Sequence, residues 1–126
     1  TEGGLREILN YGHTLAHAIE RANDYTWRHG DAVAVGCCFA ARLAQARGLL
    51  TADDVARHDQ LFSRVGLPIR YEGSSLDELT HIMLSDKKVR RGILRFVLLD
   101  GIANPGTVSV DPSELSAPAS QIGIRA

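Results

Sequence analysis

The sequence predicts a mainly α-helical domain with a small β-hairpin near its C-terminus. Apolar residues recur at helical spacing over residues 5–22, 51–65 and 75–86, and residues 30–46 are apolar nearly all round, as in a helix buried on most sides. By contrast, residues 93–99 form a short, apolar, partly β-branched run before the turn pair Asp100-Gly101. Residues 107–110 are then a candidate returning strand.

Single residues refine this assignment at the element ends. Thr51 with Asp54, and Ser75 with Glu78, have the spacing of a capping box at a helix start. Gly12 falls inside the first predicted helix, where glycine costs about 0.5–1 kcal/mol relative to alanine, so we expect something to pack close to the backbone there. Two prolines and scattered small residues predict that the last fifteen residues form a poor helix and a loosely held tail.

Length and charge limit the classes of function. The 126 residues, 44% of them apolar, suit one domain spanning residues 1–126. Because 14 basic residues nearly balance 15 acidic ones, no overall field favours nucleic acid or an anionic membrane, and a small, locally recognised ligand is the better expectation. No apolar stretch approaches the roughly 20 residues needed to cross a bilayer, and the N-terminus lacks the basic-then-apolar pattern of a signal peptide, so we expect a cytoplasmic protein. The adjacent Cys37 and Cys38 are suited to packing in the core as small apolar residues.

A stripe of unlike polar residues runs along the first predicted helix. Its members recur at intervals of three or four residues and would share one narrow face: Glu2, Arg6, Asn10, His13 and His17. A solvated face more often carries interchangeable Glu and Lys, whereas this mixture suits a ligand with several different polar groups. Spacing alone leaves open the alternative of a solvent-exposed helix face whose histidines bind nothing.

Histidines supply the candidate metal ligands. His13 and His17, at i and i+4, could clamp one ion, and a short loop could bring His29 back toward them. Firmly held zinc requires three or four ligands, so this pattern by itself is weak. His58 and His81 lie on separate predicted helices and suit structural or surface roles better.

A cationic run follows the fourth predicted helix. Asp86 is followed by Lys87 and Lys88, and Arg90 and Arg91 come next. Lysines clustered at an element boundary can bind phosphate as point charges, although they are more often simply solvated. The sequence contains neither a glycine-rich dinucleotide loop nor a Walker-type phosphate loop.

Residues 9–20, LNYGHTLAHAIE, closely resemble the LNYGHTxGHAIE signature of 3-dehydroquinate synthases. Family-like segments follow in order: HGDAVA at residues 29–34, GLP at 66–68, DKK at 86–88 and LRFVL at 94–98. The resemblance covers roughly the first hundred residues and implies the helical C-terminal domain of that fold. Ala16 stands where the family usually has glycine.

The resemblance also implies site roles. The metal ligands from this part would be His13 and His29, with His17 contacting substrate, so the pairing of His13 with His17 would be only half right. The third protein ligand, a glutamate, and the NAD-binding domain precede this stretch in the family. The implied cofactors are Zn²⁺ or Co²⁺ and NAD, and full-length members are typically homodimers.

The implied substrate is a sugar acid phosphate, 3-deoxy-arabino-heptulosonate 7-phosphate, which the family converts into 3-dehydroquinate and phosphate in the shikimate pathway. Its phosphate and carboxylate would be held by Arg6, Asn10, His17, Lys87 and Lys88. Glu2 would order these basic groups and, with His17, is a candidate catalytic residue. We expect the 126-residue chain alone to be inactive.

Three other functions stay open: another sugar phosphate cyclase, a metal-dependent dehydrogenase of the glycerol dehydrogenase type, or a non-catalytic helical assembly domain. Arg6, Asn10 and the run from Asp86 to Lys88 favour a phosphorylated acid over a simple alcohol. The assembly domain would bind neither zinc nor a sugar phosphate.

Overall fold

The computed structural model describes residues 11–85, 93–99, 101 and 105–126. Within these residues lie five α-helices, one 3₁₀ helix and one antiparallel hairpin, which confirms the predicted mainly α class. In chain order the elements are α1 (His13–Ala22), α2 (His29–Ala46), α3 (Ala52–Arg64), α4 (Leu76–Ser85), β1 (Leu94–Leu99), β2 (Pro105–Val110), the 3₁₀ helix (Pro112–Glu114) and α5 (Ser116–Gln121).

The helix α2 forms the centre of the core. Eleven of its eighteen residues are buried, because α1, α3, β1 and α5 all pack against it. The ring of Phe39 on α2 meets Phe96 of β1 at a centroid distance of 5.7 Å. Although α2 is strongly apolar, no helix in the described part of the chain is long and apolar enough to cross a membrane.

Gly12 is not inside a helix, and the prediction of unbroken helix through it is wrong. It is the N-cap of α1, with φ of 78° in the left-handed region that glycine adopts without strain. The expected close neighbour is present: a Cβ on Gly12 would lie 2.7 Å from the backbone nitrogen of Cys37. Residues 5–10 of the predicted helix lie outside the described residues.

The predicted caps and hairpin are formed. Thr51 Oγ accepts from the backbone N–H of Asp54, whose carboxylate accepts from the N–H of Thr51, and Ser75 Oγ accepts from the N–H of Glu78. The hairpin pairs Leu94 with Val110 and Leu99 with Pro105, so the returning strand begins earlier than predicted and five residues connect the strands. Asp100 of the predicted turn pair lies outside the described residues.

The C-terminal residues are folded, so the prediction of a loose tail is wrong. Their buried side chains join the core: Leu115, Pro118, Ala119, Ile122 and Ile124. The tail is also tied by its backbone, because the carbonyls of Ile122 and Arg125 accept from the N–H groups of Tyr71 and Leu76. Pro118 is compatible with α5 because it occupies the first turn, where a backbone N–H has no helical partner.

Truncation of Ile122 should therefore destabilise the fold. This side chain has no exposed surface, so we expect Ile122→Ala to lower the free energy of unfolding by about 2–5 kcal/mol. Chemical denaturation measures the change, with Gln121→Ala at the exposed neighbouring position as the control. Equal, small effects of the two substitutions would indicate a tail that is not part of the core.

Candidate functional site

Three imidazoles meet where α1 and α2 begin. His13 opens α1, His17 follows one turn later, and His29 opens α2. The ring centroid of His13 lies 5.7 Å from that of His29, with the rings within 18° of parallel, and 5.7 Å from that of His17. The structure thus brings together all three histidines selected from the sequence in this region.

The backbone on either side of α1 sets this arrangement. Before α1, Gly12 lies so close to Gly36 of α2 that a Cβ on Gly36 would fall 2.0 Å from the Gly12 oxygen. After α1, residues 23–28 turn the chain back, and Asp24 and Tyr25 adopt φ of 51° and 59°. Non-glycine residues in this region cost of order 1–3 kcal/mol each, so contacts elsewhere hold the loop that places His29 beside α1.

Glu20 joins the two helices at the site. Its carboxylate oxygens lie 3.2 and 3.3 Å from Nδ1 of His29, while its side chain is only 14% exposed. A carboxylate cannot donate, so this contact requires Nδ1 of His29 to carry the hydrogen. The opposite ring nitrogen, Nε2, is then the one that could bind a metal ion.

A surface pocket of about 250 Å³ adjoins these residues. It is lined by His17, Glu20, Arg21, Tyr25 and His29. The lining combines a guanidinium, a carboxylate, a phenol and two imidazoles, so it offers donors for an anionic group beside acceptors for hydroxyls. This pocket suits a small polar ligand.

The donor set fits a divalent metal only in part. A zinc ion about 2.1 Å from one nitrogen of each ring would leave two ring centroids about 5–6.5 Å apart, and both measured separations fall in that range. Within residues 11–85, 93–99, 101 and 105–126, however, no three His, Cys, Asp or Glu side chains are arranged to hold an ion. His13 and His29 would supply two ligands, and a third must come from elsewhere.

The other predicted contacts lie outside the described residues. These are Glu2, Arg6, Asn10, Lys87 and Lys88. The break at Gly12 also means that one regular helix does not carry the stripe from Glu2 to His17. The assignment of these five residues to the site stays a prediction.

Sequence reasoning missed three pocket residues: Glu20, Arg21 and Tyr25. Glu20 ends the quoted motif and lies one turn beyond His17, so spacing could have indicated it. Tyr25 could not have been found in this way, because its place depends on the left-handed backbone of the loop.

His58 has a structural role away from the metal candidates. Its Nδ1 donates to the carbonyl oxygen of Asp54 at 2.8 Å, and its Nε2 lies 2.9 Å from the hydroxyl of Tyr11, from which it accepts when the ring is neutral. This contact ties α3 to Tyr11, which lies just before α1. Nearby, burial raises the pKa of the Cys37 and Cys38 thiols to about 12, which agrees with an apolar packing role.

Comparisons with known proteins agree on one family. The family described as 3-dehydroquinate synthase C-terminal matches residues 1–89. The chain is 52% identical over 122 residues to a 3-dehydroquinate synthase of Mycolicibacterium gilvum, covering 96% of the chain and 34% of that protein. It is 54% identical over 115 residues to that of Mycobacterium leprae, covering 90% and 32%. The chain therefore spans about a third of the length of these relatives.

Two solved structures share the fold at lower identity. A 2-deoxy-scyllo-inosose synthase complexed with carbaglucose-6-phosphate, NAD⁺ and Co²⁺ matches with a TM-score of 0.78 and 30% identity over 90% of the chain and 33% of its own. A 2-epi-5-epi-valiolone synthase from Streptomyces hygroscopicus subsp. jinggangensis, with NAD⁺ and Zn²⁺ bound, matches with a TM-score of 0.79 and 25% identity over 90% and 32%.

Proposed function

This chain belongs to the family of 3-dehydroquinate synthase C-terminal domains, and we propose that it is the metal- and substrate-binding part of a 3-dehydroquinate synthase. The reaction would convert 3-deoxy-arabino-heptulosonate 7-phosphate into 3-dehydroquinate and phosphate. Since the chain spans about a third of its relatives, the NAD-binding domain and the third metal ligand would come from another part of the same protein.

The convergence of His13 and His29 carries the proposal. Two imidazoles from different helices lie at a separation that one metal ion could bridge, beside a polar pocket. Identity above 50% to several 3-dehydroquinate synthases, against 25–30% to the two cyclases of known structure, supports the choice of reaction. The Zn²⁺ and Co²⁺ in those two structures support a divalent metal.

In this proposal the protein groups divide between metal and substrate. A bound divalent ion would orient the hydroxyls at the carbon that NAD oxidises and make one of them more acidic. His13 and His29 would hold the ion. His17, which is exposed beside the pocket, would contact the substrate and serve as a proton-transfer group within reach of its hydroxyls.

The anionic ends of the substrate would be held mainly by residues outside the described part. Arg6, Asn10 and Lys88, with Lys87 as a further contact, would bind phosphate and carboxylate together with His17. Glu2 would order these cations. Arg21, which lines the pocket beside His17, would add a guanidinium for an anionic group.

A second candidate is another sugar phosphate cyclase, because both solved neighbours named above are cyclases with this fold. The two functions differ in substrate. A 3-dehydroquinate synthase must bind a carboxylate as well as a phosphate, whereas a cyclase acting on a sugar phosphate without a carboxyl group has only the phosphate as an anionic group to bind.

Product analysis tests the proposal. We expect the longer protein that contains this chain, supplied with NAD⁺ and Zn²⁺, to release phosphate from 3-deoxy-arabino-heptulosonate 7-phosphate and to form 3-dehydroquinate. The 126-residue chain alone should form none, because it lacks a dinucleotide-binding loop. Cyclisation of a hexose 6-phosphate with no reaction of the heptulosonate would overturn the proposed substrate.

A further inference from the structure

We infer that Glu20 is a positioning residue that fixes the ring of His29 in the tautomer able to bind a divalent metal. This inference deepens the proposed function and rests on the metal site proposed there. It concerns a carboxylate that the sequence patterns did not select and that lies on a different helix from the imidazole it contacts.

The first step of the argument is the direction of the hydrogen bond. Both carboxylate oxygens of Glu20 approach Nδ1 of His29, at 3.2 and 3.3 Å. An ionised carboxylate only accepts, so Nδ1 must be the protonated nitrogen whether the ring is neutral or charged. In the neutral ring the lone pair then belongs to Nε2, the nitrogen on the far side from Glu20.

The second step is the unequal burial of the two partners. The Glu20 side chain is 14% exposed and belongs to α1, which packs against α2, whereas that of His29 is 61% exposed. Because most of the ring faces solvent, few contacts other than Glu20 restrict its orientation. The anchored carboxylate therefore orients the imidazole, as outer carboxylates commonly do for metal-binding histidines.

The third step is the position of the neighbouring ring. The rings of His13 and His29 lie within 18° of parallel at a centroid distance of 5.7 Å, so His29 is oriented relative to His13 as well. Glu20 lies seven residues after His13 on the same helix, two turns away. One helix thus carries both a proposed ligand and the group that orients the other ligand.

The test has a readout that needs no metal. The ¹⁵N chemical shifts of the His29 ring report which nitrogen is protonated. They are measured in the metal-free 126-residue chain at a pH well above the ordinary imidazole pKa of about 6.5. We expect the Nδ1–H tautomer to predominate in the wild type. In Glu20→Gln the amide can donate as well as accept, so we expect a mixture of both tautomers.

Zinc titration of the longer protein completes the test. Loss of an outer partner typically weakens metal binding by about 10–100-fold, and we expect Glu20→Gln to fall in this range. Asp53→Asn, which removes an exposed carboxylate from α3, is the control for a change of charge and should leave both readouts unchanged. Thermal melting of each variant checks that the fold is intact.

The outcomes separate this inference from the proposed function. An unchanged His29 tautomer in Glu20→Gln, or a wild type without a preferred tautomer, would overturn the role of Glu20. If Glu20 only tied α1 to α2, stability would fall while tautomer and zinc affinity stayed constant, which would also overturn it. A Glu20-dependent tautomer in a wild type that binds no zinc would support Glu20's control of the ring and count against the proposed metal site.

Discussion

Replacement of Gly36 by alanine is expected to destabilise the fold by about 3 kcal/mol or more. The added Cβ would fall 2.0 Å from the carbonyl oxygen of Gly12 and 3.3 Å from the backbone nitrogen of Ala16. These neighbours are backbone atoms that cannot rotate away, so α1 must move from α2 to admit a single methyl group. Chemical denaturation of the two proteins measures the loss.

Gly30→Ala is the matched control, because it makes the same chemical change on the same helix. A Cβ at Gly30 meets no atom within 4 Å, and alanine is favoured over glycine in a helix by about 0.5–1 kcal/mol. The two substitutions should therefore change stability in opposite directions. A Gly36→Ala variant as stable as Gly30→Ala would show that the contact between the two glycines does not hold α1 in place.

Periodicity and cap spacing predicted most of the helical fold, because these signals are local. The caps at Thr51 and Ser75 depend on side chains three residues apart, and the buried face of α2 can be read directly from its composition. The break at Gly12 could not be read in this way. A glycine inside an apolar pattern looks like a weak helix residue until the facing glycine, Gly36, is known.

The C-terminal tail was mispredicted for a related reason. Small residues and prolines indicate little intrinsic helix, yet α5 is short and its prolyl residue lies in the first turn. Tertiary contacts decide the outcome, since Ile122 and Ile124 are buried and backbone carbonyls of the tail accept hydrogen bonds from Tyr71 and from Leu76, the first residue of α4. Nothing local in the sequence identifies those distant partners.

The sequence motif predicted which histidines belong to the site. It did not predict the contacts between them and their neighbours. Helical spacing favoured His13 with His17, while resemblance favoured His13 with His29, and the structure places His13 at 5.7 Å from both rings. Ring distance therefore does not choose between the two pairs. The hydrogen bond that His29 donates to Glu20 favours the second pair in our proposal, because it would leave Nε2 of His29 available to a metal ion.

Removal of His13 or of His29 is expected to reduce zinc affinity by more than about 100-fold, beyond the effect typical of an outer partner. Each variant would leave too few protein ligands for firm binding, since zinc requires at least three. Isothermal titration of zinc into the longer protein that contains this chain measures the effect for His13→Ala and His29→Ala.

Two further alanine variants decide which imidazoles bind the ion. His81→Ala removes an exposed histidine on α4 and should leave zinc affinity unchanged. His17→Ala is the sharper comparison, because its ring lies as close to His13 as that of His29 does. If His17 contacts substrate, its loss weakens binding of the sugar acid phosphate and spares zinc. A large loss of zinc affinity in His17→Ala with little change in His29→Ala would instead assign the metal to the i, i+4 pair on α1. That result would also contradict the proposal that Glu20 orients a metal ligand.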